Sequence, residues 1–233
     1  MDPLAGSAWS TPSTVAGFAA SAPNGTLIAF AETRLERAGM QAVDIGCGAG
    51  RNAIPLAEAG WDVLGLDLSW PMVEAASRKA HDSAAPDRLR FVLAPMEALP
   101  VAAATADLIV AHGIWNLARS GAQFRRAVRE AARIAKPGAA LFVFTFSRRT
   151  VPANARPIDG ESFVFTEFSG EPQVFLTASQ LIDELGGAGF VPDPAVPLTE
   201  HNVPRPGALG GRTGPVIYEA AFRFEGGGLA ERR

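Results

Sequence analysis

The sequence is short of three things. It has a single cysteine, Cys47, in 233 residues, which excludes an internal disulfide framework and a cysteine-rich zinc site. Lys79 and Lys136 are the only lysines among 21 basic residues; with the many alanines, that arginine excess reads as coding bias, not as a functional patch. Positive charge is not in surplus either. The formal net charge is −3, so a predominantly basic grip on nucleic acid is not expected. No apolar run reaches the roughly 18 residues of a membrane helix, and the start lacks the basic-then-apolar order of a signal peptide. The chain therefore reads as cytoplasmic, with no membrane partner. No repeat recurs at a fixed period, and no His/Asp/Glu cluster has metal-ligand spacing, so no metal is expected.

What is present suits one large domain. Hydrophobic residues make up 48% and charged residues 19%, enough to build a core. Residues 1–23 are rich in Ser, Thr, Gly and Pro, with Trp9, Val15 and Phe18 as apolar anchors. They read as a mobile arm or lid with a short helix over Thr14–Ala20. Asn24 then caps a helix running to about Ala38, stopped by Gly39.

Strands and helices alternate from there. Strands are predicted at Ala42–Ile45, Asp62–Leu66, Leu89–Leu93, Asp107–Ala111 and Ala139–Phe146. Helices are predicted at Asn52–Ala59, Pro71–Ala80 and Gly121–Ala135, the last with Phe124, Val128, Ala131 and Ala132 inward and Arg125, Arg126 and Arg129 outward. This alternation implies right-handed crossovers and a mostly parallel sheet covered on both faces. The regularity lapses over 147–176, a length that suggests a substrate-covering insertion, with a strand-like Ser162–Phe168 inside it. Thr177 caps a further helix, Ala178–Leu185. Gly189-Phe190-Val191 leads into a strand, Val216–Phe224 alternates as a final edge strand, and 226–233 reads as a disordered tail. The main domain is thus 24–225.

The most informative segment is Val43-Asp44-Ile45-Gly46-Cys47-Gly48-Ala49-Gly50, an apolar strand running into a glycine turn that opens a helix. Missing Cβ atoms let a ligand approach the backbone closely. The dinucleotide spacing G-x-G-x-x-G is not met, because the third glycine falls one residue early and Arg51 holds its place. Asp44 at the strand end repels phosphate and invites a cation, which points to an amine-bearing ligand. Asp67 follows the second strand and is placed to accept hydrogen bonds from both hydroxyls of a ribose. Its bland reading is a helix cap, a part that Ser69 also fits.

Together with Gly65–Met72, Met96-Glu97-Ala98-Leu99-Pro100, Ala106–Val110 and Ala135–Ala139, these residues resemble the class I S-adenosylmethionine-dependent methyltransferases. The resemblance runs from about Asn24 to Gly189. Arg51-Asn52 and the following Leu56–Val63 lean it toward the tellurite-resistance and thiopurine branch, although Arg51 equally fits a solvated first turn. The resemblance implies a Rossmann-like three-layer α/β sandwich with a mostly parallel seven-stranded sheet and an antiparallel edge strand. It implies S-adenosylmethionine as cofactor and S-adenosylhomocysteine as product. Gly46, Gly48 and Gly50, with Cys47 as a small residue in the turn, would pack against the amino-acid end and sugar, with Asp44 near the ammonium. Asp67 would hold the ribose, Leu68 would cover the adenine, and Met96 and Glu97 would line its edge. Relatives often carry an acid just before that pair, reaching the adenine amino group. Pro95 stands there here, which leaves the task to backbone or Glu97.

An activated methyl needs chiefly a nucleophile held in line, and a general base is optional. The loop after the fourth strand, Ala111-His112-Gly113-Ile114-Trp115-Asn116, should face the methyl. His112 is expected to touch the cofactor or orient the acceptor, with a base role open; the bland alternative is a loop histidine bonded to a carbonyl. Trp115 fits either stacking on a flat acceptor or the core. Asn116 fits orienting a polar substrate. Arg148 and Arg149 leave the fifth strand where they could meet a carboxylate or phosphate. His81, His201, Asn202 and Tyr218 carry no assignment. The leading expectation is methyl transfer to a small molecule by a monomer or homodimer. RNA or protein methylation, a non-catalytic cofactor-binding module and, more distantly, a nicotinamide dehydrogenase are the alternatives.

Overall fold

Five short apolar runs form the parallel heart of a sheet: β1 (Gln41–Ile45), β2 (Asp62–Asp67), β3 (Leu89–Leu93), β4 (Ala106–His112) and β5 (Ala135–Phe146). The structure, a computed structural model, describes residues 2–203 and 214–226. Three later strands complete the sheet: β8 (Phe190–Pro192), β9 (Thr199–His201) and β10 (Ile217–Phe224). The short β6 (Val164–Phe165) and β7 (Gln173–Val174) pair only with each other. The strand order is β3-β2-β1-β4-β5-β10-β8, with β9 also on β10. Pairs among β1 to β5 are parallel, whereas β10 runs antiparallel to both β5 and β8.

Helices α2 (Gly25–Arg34) and α3 (Ala53–Glu58) cover one face, where Leu27, Phe30, Leu56 and Trp61 pack on Leu108, Val110 and Phe142. Helices α5 (Gly121–Ile134) and α6 (Ala178–Gly186) cover the other, over Ile109, Leu141, Val143 and Phe222. Strands buried on both faces account for the near-continuous apolar runs of β4 and β5. The α5 stripe is as expected, with Phe124, Val128 and Ala131 buried and its arginines exposed. Two further helices complete the chain, α1 (Pro12–Ala20) and α4 (Trp70–His81).

The structure shifts several expected boundaries. Val216–Phe224 is not an edge: β10 lies between β5 and β8, and β9 adds an eighth strand beyond the seven expected. Sequence alternation could not separate the two positions, because a strand with one polar end reads alike in either. β5 begins at Ala135, and Pro137-Gly138 lies inside it where the pairing to β4 shifts register between Ala106 and Leu108. Gly138 there has φ +81°, the bulge conformation that glycine permits. α2 stops at Arg34, short of Ala38, and Leu35 packs over Gly60. The strand-like Ser162–Phe168 shrinks to β6. Residues 147–176 do not simply overlie the domain, since Phe163, Val164, Val174 and Leu176 belong to its main core. The tail 226–233 falls, beyond Gly226, outside the described residues.

Residues 2–20 form a short 3-10 turn, Ala8–Ser10, followed by α1. Val15, Phe18 and Ala19 pack against Ala49, Met72 and Ala75. Lys79 Nζ donates to the Ala19 carbonyl at 2.7 Å, and Ser69 Oγ to that of Trp9 at 3.2 Å. Among the described residues, no helix is long and apolar enough to cross a membrane.

Candidate active site

The turn after β1 is shaped by positive φ at Gly46, Gly48 and Gly50 (+72°, +53° and +79°). A side chain at Gly46 would collide with Ile114, its Cβ falling 2.6 Å from the isoleucine Cβ. The turn's amides are spent within the protein. Gly46 and Cys47 both donate to the Leu66 carbonyl at 2.7 and 3.0 Å, Gly48 to Asp67 Oδ2 at 2.9 Å, and Gly50 to the Cys47 carbonyl at 3.1 Å. A phosphate cradle needs those N–H groups pointing at the ligand. This turn offers almost none, which disfavours a dinucleotide.

Asp44 gives the opposite signal. It is 1% exposed, and neither carboxylate oxygen has a hydrogen-bond partner. Burial pushes its carboxyl up to about 7; Arg51 pulls it down and Asp67 adds to the rise. A buried carboxylate without a partner is costly, and a cationic ligand group relieves that cost. Asp67, at the end of β2, accepts from Ser69 N at 2.8 Å as well as from Gly48. Burial raises its carboxyl, against which the backbone donors of Ser69, Gly48 and Leu68 pull. The alternative of Ser69 as a side-chain cap is not realised: its hydroxyl makes no cap bond, and Asp2 Oδ1 accepts from Trp70 N at 3.2 Å instead. Cys47 is buried, and burial raises its thiol well above the usual range. That makes it a space-filling member of the turn, pressed toward Gly65.

Asp44, Gly46, Cys47, Gly48, Gly50, Asp67 and half-buried Leu68 thus gather at the adjoining carboxyl ends of β1 and β2. Met96 is buried in the main core, and Glu97 accepts from Gln123 Nε2 at 2.9 Å, which ties that edge to α5. These residues fit S-adenosylmethionine, through an acid for its ammonium, an acid near the sugar and a turn with no room for side chains.

The acceptor side departs from expectation at several residues. His112, the last residue of β4, stacks on Phe144 with centroids 4.1 Å apart. Its Nδ1 meets Arg51 Nη2 at 2.9 Å, and its Nε2 meets Asn24 Nδ2 at 3.2 Å. Burial first, then the Arg51 charge, holds the imidazole down at about 3. Trp115 is fully buried and edge-on to Phe124, so it presents no face to an acceptor and is core. Asn116 is buried with Oδ1 unpartnered. Arg148 turns back on its own loop, donating to the carbonyls of Pro152 and Ala155 at 3.0 and 2.9 Å and lying 4.6 Å over the Phe165 ring. It braces the loop where a substrate contact was expected. Arg149 pairs with Glu200 at 2.9 Å.

Sequence reasoning missed the polar row behind His112. Glu219 on β10 accepts from Asn24 Nδ2 at 2.7 Å, and Asn24 also caps α2 by accepting from Leu27 N. A lone acid inside the apolar run Val216–Phe224 was the available signal. Among the described residues, no group of three or more His, Cys, Asp or Glu is placed to hold a metal.

Parallel strands ordered β3-β2-β1-β4-β5 with an antiparallel partner beyond form a Rossmann-like methyltransferase fold, with an acid-floored glycine turn at their carboxyl ends. Residues 43–143 match the family model of the methyltransferase domain. One relative is a ubiquinone/menaquinone biosynthesis C-methyltransferase of Syntrophotalea carbinolica, 38% identical over 129 residues, 54% of this chain and 52% of that protein. Another is a 27-O-demethylrifamycin SV methyltransferase of Amycolatopsis mediterranei, 29% identical over 194 residues, 82% of this chain and 64% of that protein. The chain spans about half the length of the curated relatives it matches. A similar fold occurs in the 1,6-didemethyltoxoflavin-N1-methyltransferase of Burkholderia thailandensis, solved with S-adenosylhomocysteine bound. That match has a TM-score of 0.63 at 20% identity, covering 84% of this chain and 76% of that one.

Proposed function

We propose that the domain transfers a methyl group from S-adenosylmethionine to a small-molecule acceptor. The observation that carries this reading is Asp44, a buried carboxylate without a partner beneath a glycine turn whose amides are already occupied. When bound, the cofactor supplies a methyl already activated on a sulfonium. Asp44 binds the ammonium, Asp67 the ribose hydroxyls, and Leu68, Met96 and Glu97 flank the adenine. Gly46, Gly48, Gly50 and Cys47 keep the turn thin enough for close approach.

On the acceptor side the chain's task is positioning. An imidazole with a pKa of about 3 is uncharged at neutral pH and is too weak a base to keep a proton taken from an acceptor. His112 therefore serves as a neutral contact, and an acceptor proton leaves to solvent. Asn116, buried in the turn after β4 with an unpartnered acceptor oxygen, is the candidate for orienting a polar acceptor group. The small-molecule class is supported by the relatives, whose names are those of quinone and rifamycin methyltransferases, and by the net negative charge, which suits nucleic acid poorly. Residues 2–20, which pack on the glycine turn, would exclude water from the site, and the insertion 147–176 is read as the cover of the acceptor. A cytoplasmic monomer or homodimer completes the reading.

Calorimetry separates the alternatives. Submillimolar binding of S-adenosylmethionine with no binding of NAD is the expected result; failure to bind the former sinks the proposal. A panel of phenols, amines, thiols and carboxylates, scored for S-adenosylhomocysteine release, then distinguishes an enzyme from a binding module.

A further inference from the structure

Beyond its contact through His112, methyl transfer leaves one polar chain without a task. Arg51 follows Gly50 directly, so the turn that shapes the cofactor site also sets where its guanidinium starts. Nη2 lies 2.9 Å from His112 Nδ1 and 3.4 Å from Nε2. Asn24 Nδ2 reaches the far side of the same ring at 3.2 Å and donates to Glu219 Oε1 at 2.7 Å, while Glu219 Oε2 lies 3.6 Å from His201 Nε2. The chain crosses from the glycine turn to β4, the start of α2 and β10. His112, Phe144 and Glu219 occupy one row of the sheet, Phe144 pairing with both others.

Its free end is a half-buried arginine. Among the described residues, no carboxylate lies within ion-pair distance of Arg51. Burial costs the guanidinium some of its basicity, and only the nearby Asp44 charge offsets this. Asp44 is in the mirror situation, buried and unpartnered. Two opposite charges are thus held at one turn, close enough to influence each other and yet unpaired. Leaving a buried charge uncompensated is costly, and a ligand bearing the opposite charge relieves that cost. An α-amino acid carries an ammonium and a carboxylate on the same carbon, so a receptor for it needs opposite charges that are near and not paired with each other.

We propose that Arg51 receives the carboxylate of the cofactor's amino-acid end while Asp44 takes its ammonium, and that His112, Asn24 and Glu219 are positioning residues that aim the guanidinium. The inference rests on the cofactor reading above. A neutral imidazole keeps one lone pair, and with Nδ1 accepting from Arg51 a second ring proton would be aimed at the guanidinium, so the ring stays an acceptor for Arg51. An arginine held by a neutral ring keeps its charge for the ligand, whereas a carboxylate partner would have neutralised it.

The test is binding, independent of turnover. S-adenosylhomocysteine, its decarboxylated analogue and 5′-methylthioadenosine, which lacks the amino-acid end, are titrated into the wild type, Arg51→Met and Arg51→Lys. Arg51→Met is expected to weaken S-adenosylhomocysteine at least about tenfold, the loss of one charge-assisted contact, and to leave the other two ligands within about twofold. Arg51→Lys retains the charge without the planar fork and should fall between; it also serves if the methionine variant fails to fold. Glu219→Gln should weaken S-adenosylhomocysteine about threefold or more and spare methylthioadenosine, a selectivity that loss of packing would not produce. Unchanged S-adenosylhomocysteine affinity in both arginine variants overturns the carboxylate role while leaving the cofactor reading intact. Equal losses for all ligands in Glu219→Gln overturn the positioning role. Failure of every ligand to bind the wild type overturns the underlying reading instead.

Discussion

Asp44 makes the cofactor site sensitive to pH. Its carboxyl titrates near 7 in the folded chain and near 4 when unfolded. Between those values the unfolded chain ionises while the folded one keeps its proton, so this group lowers stability as pH rises through the window, and the deficit is constant above it. Asp44→Asn is therefore expected to stabilise the cofactor-free protein by an amount growing from pH 4 to 7, on the order of 2–4 kcal/mol at the plateau. Urea melts at pH 4.5 and 8 measure it. On the proposed pairing of Asp44 with the ammonium, which needs the ionised acid, wild-type affinity for S-adenosylhomocysteine should rise from pH 6 to 8 and be flat in the variant. His112 runs the other way. Its folded value of about 3 lies below the unfolded 6.5, so its stabilisation is complete above 6.5 and is lost as pH falls toward 3. His112→Gln should flatten the stability loss between pH 6.5 and 4.5, read as the difference between variant and wild-type melts. Asp44 and the glycines were legible in sequence because their chemistry is local, a strand end and a turn within seven residues. Arg51 was ambiguous for the same reason, since nothing local distinguishes a solvated first-turn arginine from one pressed against a histidine 61 positions away.

Among the elements, α1 is the one whose importance the sequence understated. A segment full of Ser, Thr, Gly and Pro reads as an arm because its three apolar anchors are too few for a core of their own. The structure gives Val15 and Phe18 a surface in α4 and the glycine turn, with Trp9 edge-on to Phe18. Phe18 Cδ1 comes within 3.5 Å of where a Cβ on Gly48 would lie, so an element near the start of the chain roofs the turn. Phe18→Ala is expected to weaken S-adenosylhomocysteine binding several-fold, in proportion to the apolar surface no longer covered; calorimetry checks it, and unchanged affinity would remove the helix from the site. Helix positions elsewhere were readable from caps and stripes. Asn24 and Thr177 accept from the backbone amides three residues on, Leu27 and Gln180, as the sequence suggested. The insertion was not readable in detail, because its order comes from long-range aromatic packing. Phe146, Phe165, Phe168 and Phe175 meet one another there, and no periodicity within 147–176 announces that.

For the molecule as a whole, folding and cofactor binding are linked. A ligand that binds only the folded chain stabilises it by about 2.7 kcal/mol at a hundredfold excess over its Kd. For a domain of this size that corresponds to a rise of about 5–10 °C in Tm, which a thermal melt with and without S-adenosylhomocysteine measures; Arg51→Met should shrink the rise at equal ligand concentration. The parallel pairing of the early strands was legible from the repeated alternation of strand and helix, from β1 to β5, whereas the place of β10, which depends on what flanks it, was not. That placement has a further consequence during synthesis. As a ribosome delivers the chain, β5 emerges some seventy residues before the strand that covers its outer edge. Until β10 emerges, Leu141, Phe142 and Val143 border an unpaired strand, which is an invitation to aggregation. Slow codons between β5 and β10 should therefore lower the protein's soluble yield without changing a single residue, read by comparing soluble fractions from synonymous genes.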